Sequence, residues 1–243
     1  MRRRAVLIAG ITAAVGCLFS VAAAQAPRPS SPMILALGST SWLSASDIQA
    51  ATGALVKQDM EQFPLKDFAV IVLANVAFTG LPGPVHQGLV EYVNNGGAVL
   101  ITGGSQSFGS GGYQAVAPII PFQIRSTSDW RPMPFRAPVP IQPGHPIMAG
   151  VTFLTIGAVN DMNPRPDASE ILQAAGGGSA AGRAAGAGGG SFPYPLITEV
   201  GVGAGRVIGV ATDLNDLAGM RDRDLFVRNT IGYLLRASRM GRG

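Results

Sequence analysis

The chain has 243 residues, of which 33 are Gly and 18 are Pro, and only 13% carry a charge. That length suits a single domain with one core, and a hydrophobic fraction of 47% excludes wholesale disorder. The formal charge of +4 rests on 18 basic and 14 acidic residues, but Arg2, Arg3 and Arg4 crowd the extreme amino end; without them 15 basic residues face 14 acids, which leaves no electrostatic footprint for nucleic acid. Aromatic residues are 7%, too few for an array of base-stacking platforms.

The amino end reads as a leader. Three arginines precede the apolar run Ala5–Ala24, which closes on small residues, the pattern of a secretory signal peptide. Small side chains at Ala22 and Ala24 place the cut after Ala24, since a cut after Ala26 would set Pro27 against the scissile bond. The expected mature chain is exported, to the periplasm or beyond. Two alternatives stay open: the run is long enough to be retained as a membrane anchor, and Ala14-Val15-Gly16-Cys17 is a loose lipobox. Cys17 is the one cysteine, so a mature chain would have no thiol, disulfide or zinc–thiolate site.

After a Pro/Ser spacer to Pro32, Met33–Leu37 predicts a buried strand. Asp47–Gln58 carries Ile48, Ala51, Leu55 and Val56 near helical spacing, with Ser46 as its cap. Phe68–Ala74 (FAVIVLA) is continuously apolar, as in a strand covered on both faces of a parallel sheet. Pro84 opens a helix to Asn94, which Asn95-Gly96-Gly97 ends, and Ala98–Thr102 (AVLIT) is the next buried strand. Pro118–Pro146 carries eight prolines and predicts irregular chain with edge strands near 122–124 and 137–141. Residues 174–191 are a Gly/Ala-rich insertion with nothing large to bury. Pro195–Val200 and Arg206–Ala211 form a hairpin across Gly201–Gly205, and Asp224–Ala237 closes the domain as an amphipathic helix before a short tail. Strand, helix and strand alternate with short links, which predicts βαβ units: an α/β three-layer sandwich with a mostly parallel sheet, plus a terminal hairpin and helix over residues 33–237.

The stretch Val90–Pro121, VEYVNNGGAVLITGGSQSFGSGGYQAVAPIIP, resembles the "GG-x-x-SFG-x-GGY" segment of class I glutamine amidotransferase-like domains. Phe68–Asn75 is similar to the strand before it, Gly144-His145-Pro146-Ile147 to a short "HPI" element, and Pro195–Leu235 to the closing segment. The resemblance covers most of Met33–Leu235 and implies a flavodoxin-like sandwich. It also implies where a nucleophile would lie: on a strand-to-helix elbow after Ala98–Thr102, at Gly103-Gly104-Ser105-Gln106-Ser107. No cysteine stands there, so glutamine hydrolysis by a thiolate is excluded.

A serine hydrolase would need Ser105 or Ser107 with a base, and only His86 and His145 exist. His86 falls at a helix start. His145 sits in a Pro-Gly-His-Pro turn with no Glu placed by sequence to orient it. The glycine-dense turn Gly103, Gly104, Gly109, Gly111 and Gly112 offers amides to an anion, or simply lets the chain turn sharply. Phe108 and Tyr113 are read either as walls of a ligand site or as anchors that pin the turn to the sheet, and Trp130 as a further wall of such a site. Asp213, after Val210-Ala211-Thr212, is read as a ligand-binding acid or a backbone cap. With two histidines, no metal and no cofactor are expected. The expected function is an exported, non-catalytic binding or scaffolding module with a protein or carbohydrate partner. The rivals are a serine hydrolase using His145 and a small-ligand site at the strand ends.

Overall fold

The structure is a computed structural model, and it describes residues 31–60, 63–136, 138–152, 156–174, 194–216 and 222–241. The leader, residues 175–191 of the Gly/Ala-rich insertion and the last two residues of the tail lie outside the described residues.

The first strand, β1 (Met33–Gly38), turns at Gly38, whose φ of 90° and missing Cβ let the chain pass the Ala74 carbonyl. Helix α1 runs over Ala45–Thr52. Its cap is Ser44 and not Ser46: the Ser44 hydroxyl accepts from the Asp47 N–H at 3.3 Å. The expected extension to Gln58 is also wrong, because Gly53 takes a left-handed φ of 73° and stops the helix. Leu55–Lys57 then pairs with Met33–Leu35 as the edge strand β2. Its Leu-Val pair fits helical spacing and strand alternation equally well over so few residues.

Strand β3 (Phe68–Ala74), helix α2 (Gly83–Asn94) and strand β4 (Ala98–Thr102) follow the predicted elements within a residue. The proline-rich middle holds more strand than expected. β5 (Phe122–Gln123) and β7 (Pro138–Pro140) match the anticipated edges and β6 (Trp130–Arg136) adds to them; beyond Pro146 follow β8 (Ile156–Asn160), β9 (Asn163–Pro164) and β10 (Ser169–Ala174). The hairpin is β11 (Tyr194–Val202) and β12 (Gly205–Val210), and α3 (Arg223–Ala237) is the last helix.

Eight strands form one sheet in the order β2-β1-β3-β4-β12-β11-β10-β7. Pairings from β2 to β12 are parallel, and those from β12 to β7 are antiparallel. Alternate residues of β3 divide the core. Val70 and Val72 face α1 and α3 with Ile48, Phe226 and Ile231, while Ile71 and Leu73 face α2 with Leu89 and Tyr92. The continuous apolar runs of β3 and β4 are therefore the mark of a sheet covered on both sides. The result is a three-layer, flavodoxin-like sandwich. Among the described residues, no helix is long and apolar enough to cross a membrane.

Candidate functional site

Ligands of open α/β sheets bind outside the carboxyl ends of the parallel strands. Here the chain leaves β4 through Gly103 and Gly104. A Cβ on Gly103 would meet Asn160 Oδ1 at 2.5 Å, and one on Gly104 would meet Asn75 Cγ at 2.2 Å. Two asparagines occupy the space that these glycines vacate. Asn160, at the end of β8 and 1% exposed, accepts from the Gly104 N–H at 2.9 Å and donates to the Gly104 carbonyl at 3.1 Å. Asn75, at the end of β3, sits at φ 41°, a left-handed conformation that asparagine tolerates. Its carbonyl oxygen accepts from the Gln106 N–H at 2.9 Å, and its amide donates to Asp213 at 2.8 Å.

Asp213, buried at the end of β12, also accepts from the backbone N–H and side-chain amide of Asn215. Asn215 in turn donates to the Ser39 carbonyl and accepts from the Ser41 hydroxyl at 2.7 Å. One side-chain chain thus ties the carboxyl ends of β1, β3, β4 and β12 together. Burial, and then the neighbouring Asp213 charge, raises the Asp216 carboxyl above its usual range.

Asp129, 1% exposed, holds the rest of the glycine turn. It accepts from the Gly109 N–H at 2.9 Å, the Ser110 N–H at 3.0 Å and the Ser110 hydroxyl at 2.8 Å. Two of the turn's amides are therefore already taken by a carboxylate of the chain itself. Phe108 and Tyr113 are fully buried, with the Tyr113 hydroxyl donating to the Val76 carbonyl, so they anchor the turn and do not wall a ligand site.

Neither serine sits on an elbow. Ser105 and Ser107 do not take a positive φ, and turns and a 3₁₀ segment (Tyr113–Ile119) follow them in place of an α-helix. Ser105 is exposed, while Ser107 is fully buried and its hydroxyl has no partner. His145 is not brought to either of them. Its Nδ1 accepts from the Ile147 N–H at 3.4 Å, which leaves the proton on Nε2, facing Glu199 Oε2 at 3.1 Å.

Sequence reasoning found no acid to orient His145; Glu199 is that acid, 54 residues further on. It lies on the α3 face, where its other oxygen accepts from Arg206 and, at 2.7 Å, from the Tyr233 hydroxyl. Arg206 pairs with Ala98 at the start of β4, five residues before Gly103, so this cluster lies toward the strand end opposite the serines, on the order of 15 Å along β4. The missed residues Asn75, Asn160, Asp129 and Glu199 carried no local signal, because each acts across a distance in sequence. Among the described residues, no three His, Cys, Asp or Glu side chains converge as for a metal ion.

The Glu199 cluster sets an alkaline limit. Burial, helped by the hydrogen bond to Glu199, pushes the Tyr233 phenol up to about 12. Burial pushes Tyr92 and Tyr113 up further still. A phenol ionises more readily in the unfolded chain, near pH 10. The stability Tyr233 contributes is therefore complete below that pH and is lost as pH rises through about 12. Urea unfolding midpoints should fall steadily above pH 10, with the Tyr92 and Tyr113 phenolate absorbance appearing only as the chain unfolds. Full tyrosine ionisation in a chain that keeps its native circular dichroism would contradict this.

No protein-family model matches the chain, and no curated protein sequence matches it. Solved structures do. A cytoplasmic protein from Salmonella typhimurium is 16% identical, with a TM-score of 0.60 over 83% of this chain and 98% of that one. A second cytoplasmic protein from the same organism, strain LT2, gives 14% and 0.59 over 84% and 98%. A ThuA-like protein from Bacteroides uniformis gives 12% and 0.53 over 88% and 96%. The chain shares its fold with ThuA-like proteins. That agrees with the class I glutaminase-like architecture implied by the residues around Gly103–Tyr113. At these identities, the ThuA-like likeness speaks for the sandwich alone.

Proposed function

We propose that the chain is an exported, non-catalytic binding or scaffolding module on a glutamine amidotransferase-like sandwich, with a protein or carbohydrate partner outside the cytoplasm. The observation that carries this reading is the state of the strand ends. Asn75, Asn160, Asp129 and Asp213 spend their polar atoms on the chain's own backbone and on one another. General base catalysis needs an imidazole nitrogen free to take a proton within hydrogen-bond reach. Both nitrogens of His145 are engaged elsewhere. The leader pattern Arg2–Ala24 supports export.

The purified protein should release no ammonia from glutamine and hydrolyse no activated ester above the buffer rate, and Ser105→Ala, Ser107→Ala and His145→Ala should leave both rates unchanged. Ammonia release, or ester turnover lost in Ser105→Ala or Ser107→Ala, would overturn the non-catalytic reading. Intact mass of the secreted chain tests the cut after Ala24, and a thermal-shift series with sugars tests the carbohydrate arm.

A further inference from the structure

A groove of about 550 Å³ opens along α3 where α1 ends, a size within the range of ligand sites. Arg228, Gly232 and Arg236 line it from α3, with the half-buried Leu225 and Leu235. Thr52, at the end of α1, and Pro146, in the turn after His145, line it from the neighbouring elements. Both of those borders are fixed. The Thr52 hydroxyl donates to the Ile48 carbonyl at 2.7 Å and accepts from the Ala54 N–H at 3.2 Å. The Asn229 amide donates from α3 to the carbonyls of Ile147 at 3.3 Å and Ala149 at 2.8 Å. The groove is thus preformed, and a ligand spends little on ordering its walls.

Arg228, Gly232 and Arg236 follow one another at four-residue steps, so they share one face of α3. Gly232 lies in the helix interior and does not take a positive φ. A Cβ there would meet Arg236 Nη1 at 3.5 Å, an ordinary contact. Neither packing nor backbone conformation calls for glycine, and glycine loosens a helix relative to alanine. Its bare surface instead keeps the groove open between two guanidinium groups. Among the described residues lining the groove, the charged ones are these two arginines, with no acid. Arg228 is exposed and joins none of the ion pairs among the described residues. Asp224, one turn before it, pairs with Arg223 at 3.0 Å. The last carbonyls of α1 have no partner inside the helix and carry partial negative charge, so they disfavour a bare anion and accept N–H groups. A peptide brings carboxylates and backbone N–H donors on one chain and satisfies both demands.

We propose that this groove takes an extended acidic segment of a partner protein, its carboxylates meeting Arg228 and Arg236 and an apolar side chain between them lying over Gly232; this rests on the reading of the chain as a binding module. The spacing agrees. Eight helical residues separate the two arginines by about 12 Å along α3. Residues four apart in an extended chain are about 13 Å apart, and the residue midway points to the same side. That middle side chain would meet Leu225 and Leu235.

The test measures fluorescence anisotropy of a labelled peptide, Gly-Glu-Ser-Leu-Ser-Glu-Gly, with the purified protein at constant ionic strength. The same peptide with Gln in place of both Glu is the control. The acidic peptide should bind saturably and at least about tenfold tighter than the control, as two exposed ion pairs allow. Arg228→Gln and Arg236→Gln should each weaken it about threefold and together about tenfold. Gly232→Leu closes the groove and should abolish saturable binding, while its thermal midpoint stays at or above that of the parent, an outcome that a merely structural glycine would not give. Equal binding of both peptides, or unchanged affinity in Arg228→Gln or Gly232→Leu, would overturn the proposal. So would phosphatidylcholine–phosphatidylserine vesicles that bind through Arg228 where the peptide does not, since the face would then meet a membrane. A groove that takes no peptide leaves the absence of glutamine and ester turnover standing, and turnover would end the non-catalytic reading without touching the peptide result.

Discussion

Gly104→Ala is expected to lower the free energy of unfolding by about 4 kcal/mol, the joint cost of an unfavourable φ and an overpacked site. Gly104 sits at φ 136°, which side-chain-bearing residues rarely adopt. Its added methyl would lie 2.2 Å from both Cγ and Oδ1 of Asn75. A flexible neighbour would swing aside, but Asn75 is held at both ends, by the Gln106 N–H and by Asp213. Moving it strands a backbone donor and breaks the tie between β3 and β12. Gly53→Ala supplies the control: its φ is 73°, but nothing lies within 4 Å of the new Cβ, so only the conformational cost of about 1 kcal/mol applies. Urea unfolding of the two variants separates the effects. Equal losses in both would mean that the contact around Asn75 is soft and the strand-end network carries little of the stability.

Glu199→Ala should cost about 3 kcal/mol, the low end of the range for removing one member of a buried ionic pair. Glu199 is 7% exposed and serves three partners: Arg206, the Tyr233 hydroxyl and His145 Nε2–H. The Arg206 side chain is 38% exposed, so water recovers part of its loss, and the figure belongs below the fully buried case. His145, with its side chain 9% exposed, has less relief, while Tyr233 is half-buried and packs its ring edge-on against His145 at 5.0 Å. Glu199→Gln keeps the shape and one acceptor and should cost less. A double-mutant cycle is decisive: His145→Ala should destabilise the parent chain clearly but cost far less in a Glu199→Ala background, since their shared contact is already gone. Additive losses would place the importance of His145 in its turn and not in its bond to Glu199.

These two sites show how far the residues alone could be read. β3, α2, β4, the β11–β12 hairpin and α3 were legible because each is a local pattern: an unbroken apolar run, a helical stripe, a glycine stop. The same logic failed at Leu55–Lys57, where three residues fit either period and Gly53 decided against the helix. It also failed at Trp130–Arg136, where prolines suggested irregular chain although a short antiparallel strand forms there. Edge and ribbon strands tolerate proline, so their signal is weak.

The candidate site divides in the same way. The absence of a thiol beyond Cys17, and the glycines that let the chain turn off β4, are properties of the residue list. Which side chains fill the space beside those glycines is not. Asn75, Asn160 and Asp213 come from three different strand ends, and Glu199 reaches His145 from 54 residues away, so no spacing rule joins them. Local pattern determined the layers of this protein, because secondary structure answers to near neighbours. The engagement of His145, the burial of Ser107 and the partnerless indole of Trp42 were decided only when the sheet brought distant segments together, because hydrogen bonding and burial depend on what lies close in space.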